Sequence, residues 1–390
     1  MGTAEEKSHK TIDDKTIDEI FSEMEQAIAD PQKTFEKYRS ANQKAIGCIP
    51  YFAPYELVDA AGMYPLELWG GDTEISRANG YYPAFYCSIL VTLMERALRG
   101  EYDYLSGVII PTTCDGLRNL EENWKFACPN SKVMDFVQPA VRNTVEAQNY
   151  LVKQLKKLAA CLEDISGNEL TERSLRESIA LYNSQRKVMR DFSVIASEHV
   201  DIVKPQVRRM VYAAARNMPV ENHISLVKQL NKELSMLPVY QHEGMKVVLT
   251  GILVDSPFLL KELEKNNIAV INDLTVAESV RFNVDVPGRI DPFVSIAEYW
   301  SRIEGASIAL DPKKSRGNIL INLVKSHDAD GVIACIVKFC EAEEFDVPVL
   351  KKQLSSENIP LLVLDIESQN VSNEQIATRI EAFSEMVGMS

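Results

Sequence analysis

Three of the seven cysteines have the residue types and surroundings to do chemistry. They are Cys87 in Tyr86-Cys87-Ser88, Cys114 in Pro111-Thr112-Thr113-Cys114-Asp115, and Cys340 in Lys338-Phe339-Cys340-Glu341. Apolar runs that read as buried strands precede two of them: residues 107–110 before Cys114 and 331–337 before Cys340. Open α/β sheets gather ligands at the carboxyl ends of their strands. Three thiolates converging there could hold an iron–sulfur cluster and leave one iron without protein sulfur. No Cys-x-x-Cys pair marks such a site, so spacing leaves it open beside plainer readings.

Those plainer readings differ for each residue. Cys114 precedes Asp115-Gly116 near a helix start. A helix N-terminus favours a thiolate or an anionic cluster, but a half-buried thiol in a strand–helix loop fits as well. Cys87 stands beside Phe85 and Tyr86, where a free cysteine packs as a small apolar group. Cys340 precedes Glu341-Ala342-Glu343-Glu344. Negative charge there raises a thiol pKa and disfavours a nucleophile, yet it matters less to a thiolate neutralised by iron. Cys128, Cys161 and Cys335 read as structural, and Cys48 in Gly47-Cys48-Ile49-Pro50 as a residue that could line a cleft.

Other chemistry is sparse. None of the five histidines is paired at metal-binding spacing: His199, His223 and His242 fall on or beside polar helices, His327 reads as a surface residue, and His9 lies in the tail. Hydrolase-elbow, P-loop and dinucleotide-binding glycine motifs are missing. Gly70-Gly71-Asp72 and Thr250-Gly251 could let backbone approach a ligand. Lys313-Lys314-Ser315-Arg316 could meet phosphates, although such a run is usually a solvated loop.

The elements that would position these residues follow a simple pattern. Strand-like runs at 64–69, 107–110 and 133–136 alternate with helical periods at 88–98 and 117–126. The alternation resumes with strands at 247–254, 269–272, 332–337 and 361–365, and helices at 257–266, 292–303, 318–326, 349–356 and 373–386. Between them, 145–162, 172–200 and 223–236 carry long helical periods without strands. The expectation is an α/β protein: two Rossmann-like parallel-sheet domains joined by a helical segment, with an N-terminal helical extension. The expected divisions are 1–44 (extension), 45–139 (first α/β domain, with Cys87 and Cys114), 140–240 (helical bridge) and 241–390 (second α/β domain, with Cys340).

Bulk properties narrow the function. A net charge of −14 argues against nonspecific nucleic-acid binding and against attraction to anionic membranes. Residues 1–16 are charged and lack the apolar core of a signal peptide. The uncharged run 78–94 contains Gly80, Pro83 and three tyrosines and does not read as a membrane span. The expected location is cytoplasmic, where seven low-density cysteines are thiols or metal ligands rather than a disulfide frame.

Several motifs together carry a resemblance. They are Ala45-Ile46-Gly47-Cys48 with the run 55–63, Leu68-Trp69-Gly70-Gly71, Pro83-Ala84-Phe85-Tyr86-Cys87-Ser88, Ser106 to Pro111 with Cys114-Asp115, Leu249-Thr250-Gly251-Ile252-Leu253, Asp311-Pro312-Lys313-Lys314, and Val337-Lys338-Phe339-Cys340-Glu341. From about residue 20 onward the chain resembles the β subunit of (R)-2-hydroxyacyl-CoA dehydratases, a group related to benzoyl-CoA reductase subunits. The resemblance implies a [4Fe–4S] cluster held by Cys87, Cys114 and Cys340, with a fourth ligand that is not cysteine. It implies removal of water from a 2-hydroxyacyl-CoA to give the (E)-2-enoyl-CoA through a ketyl radical, in amino-acid fermentation by an anaerobe. The implied partners are a homologous α subunit, forming a heterodimer, and a transient ATP-dependent activator iron–sulfur protein.

The substrate-handling serine and glutamate of the α subunit align here with Tyr51 and Leu66, with Glu67 one residue away. The resemblance therefore implies an electron-relay role for this chain, with the catalytic residues on the α subunit. Other readings are a subunit of a benzoyl-CoA-reductase-like acyl-CoA reductase and a non-catalytic two-lobed binding protein. A double-cubane reductase is disfavoured because the chain has no Cys-Cys pair.

Overall fold

The structure, a computed structural model, describes residues 15–367 and 374–388. His9 and most of the segment 1–16 lie outside the described residues, as does Asn373 at the start of the last expected helix. Thr16 opens α1 (Ile17–Ala29) with a capping box: the Glu19 amide donates to its hydroxyl, and its own amide donates to the Glu19 carboxylate. Asp30 and Pro31 start α2 (Pro31–Tyr38), with proline where its missing N–H costs nothing.

The first α/β layer then follows: β1 (Ala45–Cys48), α3 (Tyr55–Ala60), β2 (Tyr64–Glu67), α4 (Ser88–Leu98), β3 (Gly107–Pro111), α5 (Asp115–Ala127) and β4 (Lys132–Phe136). Its four strands run parallel in the order β2-β1-β3-β4. Four helices come next: α6 (Val145–Ser166), α7 (Glu172–Ser197), α8 (Pro205–Ala214) and α9 (Val220–Ser235). The second layer comprises β5 (Met245–Gly251), α10 (Pro257–Lys265), β6 (Ile268–Thr275), α11 (Pro292–Arg302), α12 (Arg316–Ser326), β7 (Gly331–Val337), α13 (Glu341–Ser355), β8 (Leu361–Ile366) and α14 (Glu374–Gly388). Its parallel order, β6-β5-β7-β8, repeats that of the first sheet.

The expected α/β class, parallel sheets and N-terminal helix are all present, and the differences are local. β1 is a strand that periodicity does not reveal, because four residues buried throughout show no alternation and Gly47 and Pro50 look like turn residues. α3 and α8 are further helices outside the expected set. α13 starts at Glu341 rather than 349 and carries Pro348 within it. Its acidic first turn suits a helix N-terminus, and Leu350 and Leu354 beyond the proline are buried.

Both sheets share one continuous apolar core, and α1 packs with α7, α8 and α9 in a second. The sheets meet where Phe52 and Phe136 pack on Trp300 of α11, with ring centroids 4.0 and 5.5 Å away. α7 holds the segment after β6: Asn183 exchanges hydrogen bonds with the Val286 backbone, and Arg190 pairs with Asp285 at 2.8 Å.

Buried charge adds to this framework. Glu67 at the end of β2 pairs with Arg281 after β6, Glu56 of α3 with Arg186 of α7, and Arg208 of α8 with Asp273 of β6 at 2.6 Å. Asp273 also accepts from the amides of Thr275 and Ser279. Removing one member of a sealed pair strands the other charge, which costs about 3–5 kcal/mol. Asp273→Ala should therefore lower the urea-unfolding stability by about that amount. The double replacement Arg208→Met with Asp273→Leu should recover part of the loss.

Candidate functional site

Cys87, Cys114 and Cys340 are the N-cap residues of α4, α5 and α13. None of the three makes the side-chain hydrogen bond usual for a cap, and the Leu90 and Glu343 amides donate to the carbonyls of Cys87 and Cys340 while lying near their sulfurs. The amides of Ile89 and Leu90 favour the Cys87 thiolate, those of Gly116 and Leu117 the Cys114 thiolate, and that of Glu343 the Cys340 thiolate.

Local structure sets each sulfur. Phe339 takes a left-handed conformation, φ 65°, at the turn that delivers Cys340. Gly116 lets α5 approach α4, since a Cβ there would stand 2.3 Å from Leu90 Cδ1. The loop before Cys87 is tied to α4 by Glu95, whose carboxylate accepts from the amides of Ser76, Arg77 and Ala78 at 3.0, 2.7 and 2.8 Å. Burial would raise the Glu95 pKa, but those amides outweigh it and hold the carboxyl at about 2.

The three thiols lie within electrostatic reach of one another. Burial pushes Cys87 up to about 11, and the charge of Cys114 adds to the shift. Burial also raises Cys340, followed by Glu343 and then by Cys87 and Cys114. Cys114 is raised by burial too, although it remains the exposed member of the three while the others are half-buried. Among the described residues, no three His, Cys, Asp or Glu side chains converge tightly enough for a single metal ion. A four-iron cluster spreads its thiolates over separate irons and needs a wider triangle. Thiol donors at three helix N-termini fit such an anionic group.

Exposed aromatic side chains accompany the cysteines in sequence. Phe85 and Phe345 are 67% and 77% exposed, and Phe339 adjoins Cys340. Tyr81 and Phe126 are also exposed and pack on each other at 5.8 Å.

A separate cavity of about 40 Å³ lies between the sheets, lined by Tyr51, Glu56, Glu67, Arg186, Arg281 and Tyr299 among others. It is large enough for water. The Tyr51 hydroxyl is buried there without a hydrogen-bond partner. Leu66 is fully buried, and Glu67 is committed to Arg281.

The family described as 2-hydroxyglutaryl-CoA dehydratase, D-component, matches residues 50–387. The chain is 39% identical to the (R)-phenyllactyl-CoA dehydratase beta subunit of Clostridium sporogenes, across 94% of this chain and 98% of that one. It is 36% identical to the lactoyl-CoA dehydratase beta subunit of Anaerotignum propionicum, across 95% and 99%. It is 34% identical to the (R)-2-hydroxyglutaryl-CoA dehydratase beta subunit of Acidaminococcus fermentans, again across 95% and 99%. The chain belongs to the 2-hydroxyglutaryl-CoA dehydratase D-component family.

In this family member, several residues sit differently from their expected places. Cys48 is not a cleft residue; it ends β1 with no exposed surface, and burial raises its pKa strongly. His199 and His223 are buried rather than on polar faces. His223 lies between Gln185 and the Val211 carbonyl, and burial lowers its pKa to about 4. His327 is half-buried against Asn272. Arg316 is not solvated either: it is buried, donating to Thr250 Oγ1 at 2.8 Å and to Asp346 at 3.1 Å. Gly70 and Gly251 provide close packing: a Cβ at either would stand 2.1 Å from Thr92 Oγ1 or the Cys335 carbonyl oxygen. Glu343 is sealed, accepting from the Val337 amide and the Ser307 hydroxyl. Nothing in the sequence distinguishes it from its exposed neighbours Glu341 and Glu344. No helix among the described residues is long and apolar enough to cross a membrane.

Thiol accessibility orders the chemistry of metal-free protein. Alkylation of the native chain at pH 8, mapped by peptide mass spectrometry, should modify Cys114 before Cys87 and Cys340, and leave Cys48 and Cys335 until unfolding. Raising the pH should speed labelling of all three N-cap thiols, because their pKa values lie above the ordinary one.

Proposed function

We propose that this chain is the β, electron-relay subunit of a [4Fe–4S] (R)-2-hydroxyacyl-CoA dehydratase, with Cys87, Cys114 and Cys340 as the cluster ligands. The carrying observation is that these three cysteines, from two different sheets, cap three helices and feel one another's charge. Family membership and similarity to three dehydratase beta subunits support dehydration over ring reduction and over a two-lobed binding protein. When bound, the cluster supplies a low-potential one-electron centre.

The chain's own residues have three tasks in this reading. The thiolates hold the irons, and the amides of α4, α5 and α13 offset the negative charge. Cys48 and Cys335 are sealed in strands, which supports a fourth ligand other than cysteine. The small inter-sheet cavity, with the sealed Tyr51 hydroxyl and the Glu67–Arg281 pair in its wall, is poorly suited to an acyl thioester. This supports an α subunit that carries the substrate site and turns a 2-hydroxyacyl-CoA into the (E)-2-enoyl-CoA. An ATP-dependent activator would deliver the electron, and the unpaired thiols are consistent with a cytoplasmic setting.

Iron and acid-labile sulfide, measured on oxygen-free protein, test the reading. About four irons per chain are expected. The count should collapse in Cys87→Ser, Cys114→Ser and Cys340→Ser, while Cys161→Ser retains it. Full iron and full dehydratase rate in Cys114→Ser would remove the assignment.

On this reading the α subunit docks on the exposed aromatic side chains beside the cysteines, Phe85 among them. Phe85→Glu should weaken co-purification with the α chain while the iron content of the isolated β chain stays unchanged.

A further inference from the structure

Cys340 caps α13, and Glu343 lies in the first turn of that helix. Its amide donates to the Cys340 carbonyl at 3.0 Å. Its side chain reaches back across the strand–helix turn. One carboxylate oxygen accepts from the Val337 amide at 3.0 Å, and the other from the Ser307 hydroxyl at 2.9 Å. The carboxylate thus closes the turn in which Cys340 stands, and the residue has no exposed surface. Glu341 and Glu344, in the same acidic run, are exposed.

Complementing the helix dipole does not require a sealed residue, because exposed Glu341 and Glu344 serve that end. Bracing the turn does not require a charge, because a glutamine of the same length could accept from the Val337 amide. A buried carboxylate is costly, and this one stands where three thiols already gather. Its charge bears on Cys340 and Cys87, which come from different sheets, and on Cys335 of β7. Compensation is partial. Arg316 is 3.9 Å away and pairs more closely with Asp346, at 3.1 Å, which Lys314 also meets at 3.2 Å. Burial pushes the Glu343 carboxyl up, while Arg316, the Val337 amide and the Ser307 hydroxyl favour the anion.

A fixed negative charge opposes the arrival of an electron beside it, and burial keeps solvent from screening that repulsion. Net charge around an iron–sulfur cluster is one of the factors that set its potential. Given a cluster at Cys87, Cys114 and Cys340, as in the electron-relay reading, we propose that Glu343 is a positioning residue whose fixed negative charge beside Cys340 holds that cluster at low reduction potential. A centre held low in this way passes its electron on readily, which is what a relay must do.

A redox titration of the oxygen-free full chain, followed by EPR, tests the charge. In Glu343→Gln the midpoint should move to a more positive potential. Glu344→Gln loses the same formal charge in solvent and should leave the midpoint in place. Arg316→Gln removes the compensating cation and should move it the opposite way, which also serves if Glu343→Gln does not fold. A second readout needs no metal. In the metal-free chain at pH 8, alkylation of Cys340 should be severalfold faster in Glu343→Gln and slower in Arg316→Gln, with Cys48 and Cys335 still protected. A merely loosened turn would speed labelling in both variants. An unchanged midpoint in Glu343→Gln overturns the proposal, as does an equal shift in Glu344→Gln. Wild-type protein without iron overturns the electron-relay reading. A Cys340 labelling rate unchanged in Glu343→Gln overturns the role of Glu343 by itself, with or without iron.

Discussion

Charges sealed between the two sheets govern the rest of this molecule. Cys87 and Cys114 belong to the first sheet's helices and Cys340 to the second's. Their mutual position therefore depends on how the sheets are held together. Glu67–Arg281 crosses directly from β2 to the segment after β6, while Glu56–Arg186 and Arg208–Asp273 tie each sheet to the helices between them. Such pairs add little net stability over apolar packing, but breaking one leaves a bare charge in low dielectric. That asymmetry penalises sliding of the sheets and makes their orientation specific.

The two sheets repeat one strand order but do not contribute equally. The first sends two N-cap cysteines from adjacent helices, drawn close where Gly116 meets Leu90. The second sends one, from a helix whose first turn is acidic. Glu343 in that turn is buried and hydrogen-bonded to the strand that precedes Cys340, so it acts as a brace as well as a charge. Each thiol pKa is raised in the metal-free chain, as expected for burial. A positively charged group at the helix N-termini would reverse that balance.

Two cavities on either side of Tyr55, Tyr182 and Arg281 show how differently buried polar groups can be used. In the smaller one the charges are paired, Glu56 with Arg186 and Glu67 with Arg281. The larger one mixes both signs in its wall, with Arg216 and Arg281 beside Asp59 and Glu221.

Much of this was legible in the sequence because the relevant signals are local. The apolar runs before Cys114 and Cys340 appear as β3 and β7, helical periodicity places α4 to within a residue, and the parallel α/β class follows from the alternation of the two. The motifs around the cysteines also placed the chain in its family. What stayed hidden involves partners far apart in the chain. β1 is too short and too buried for periodicity to show, and Cys48, His223, Arg316 and Glu343 look like ordinary polar or loop residues until distant segments close over them. The sequence by itself determined that α4 begins at Cys87, since the hydrophobic period acts over a few residues, whereas the start of α13 at Cys340 emerged only in the fold. Only the tertiary structure decided that the three cysteines share one electrostatic neighbourhood and that Glu67 is sealed against Arg281. Both depend on burial, which is summed over contacts from segments more than a hundred residues apart.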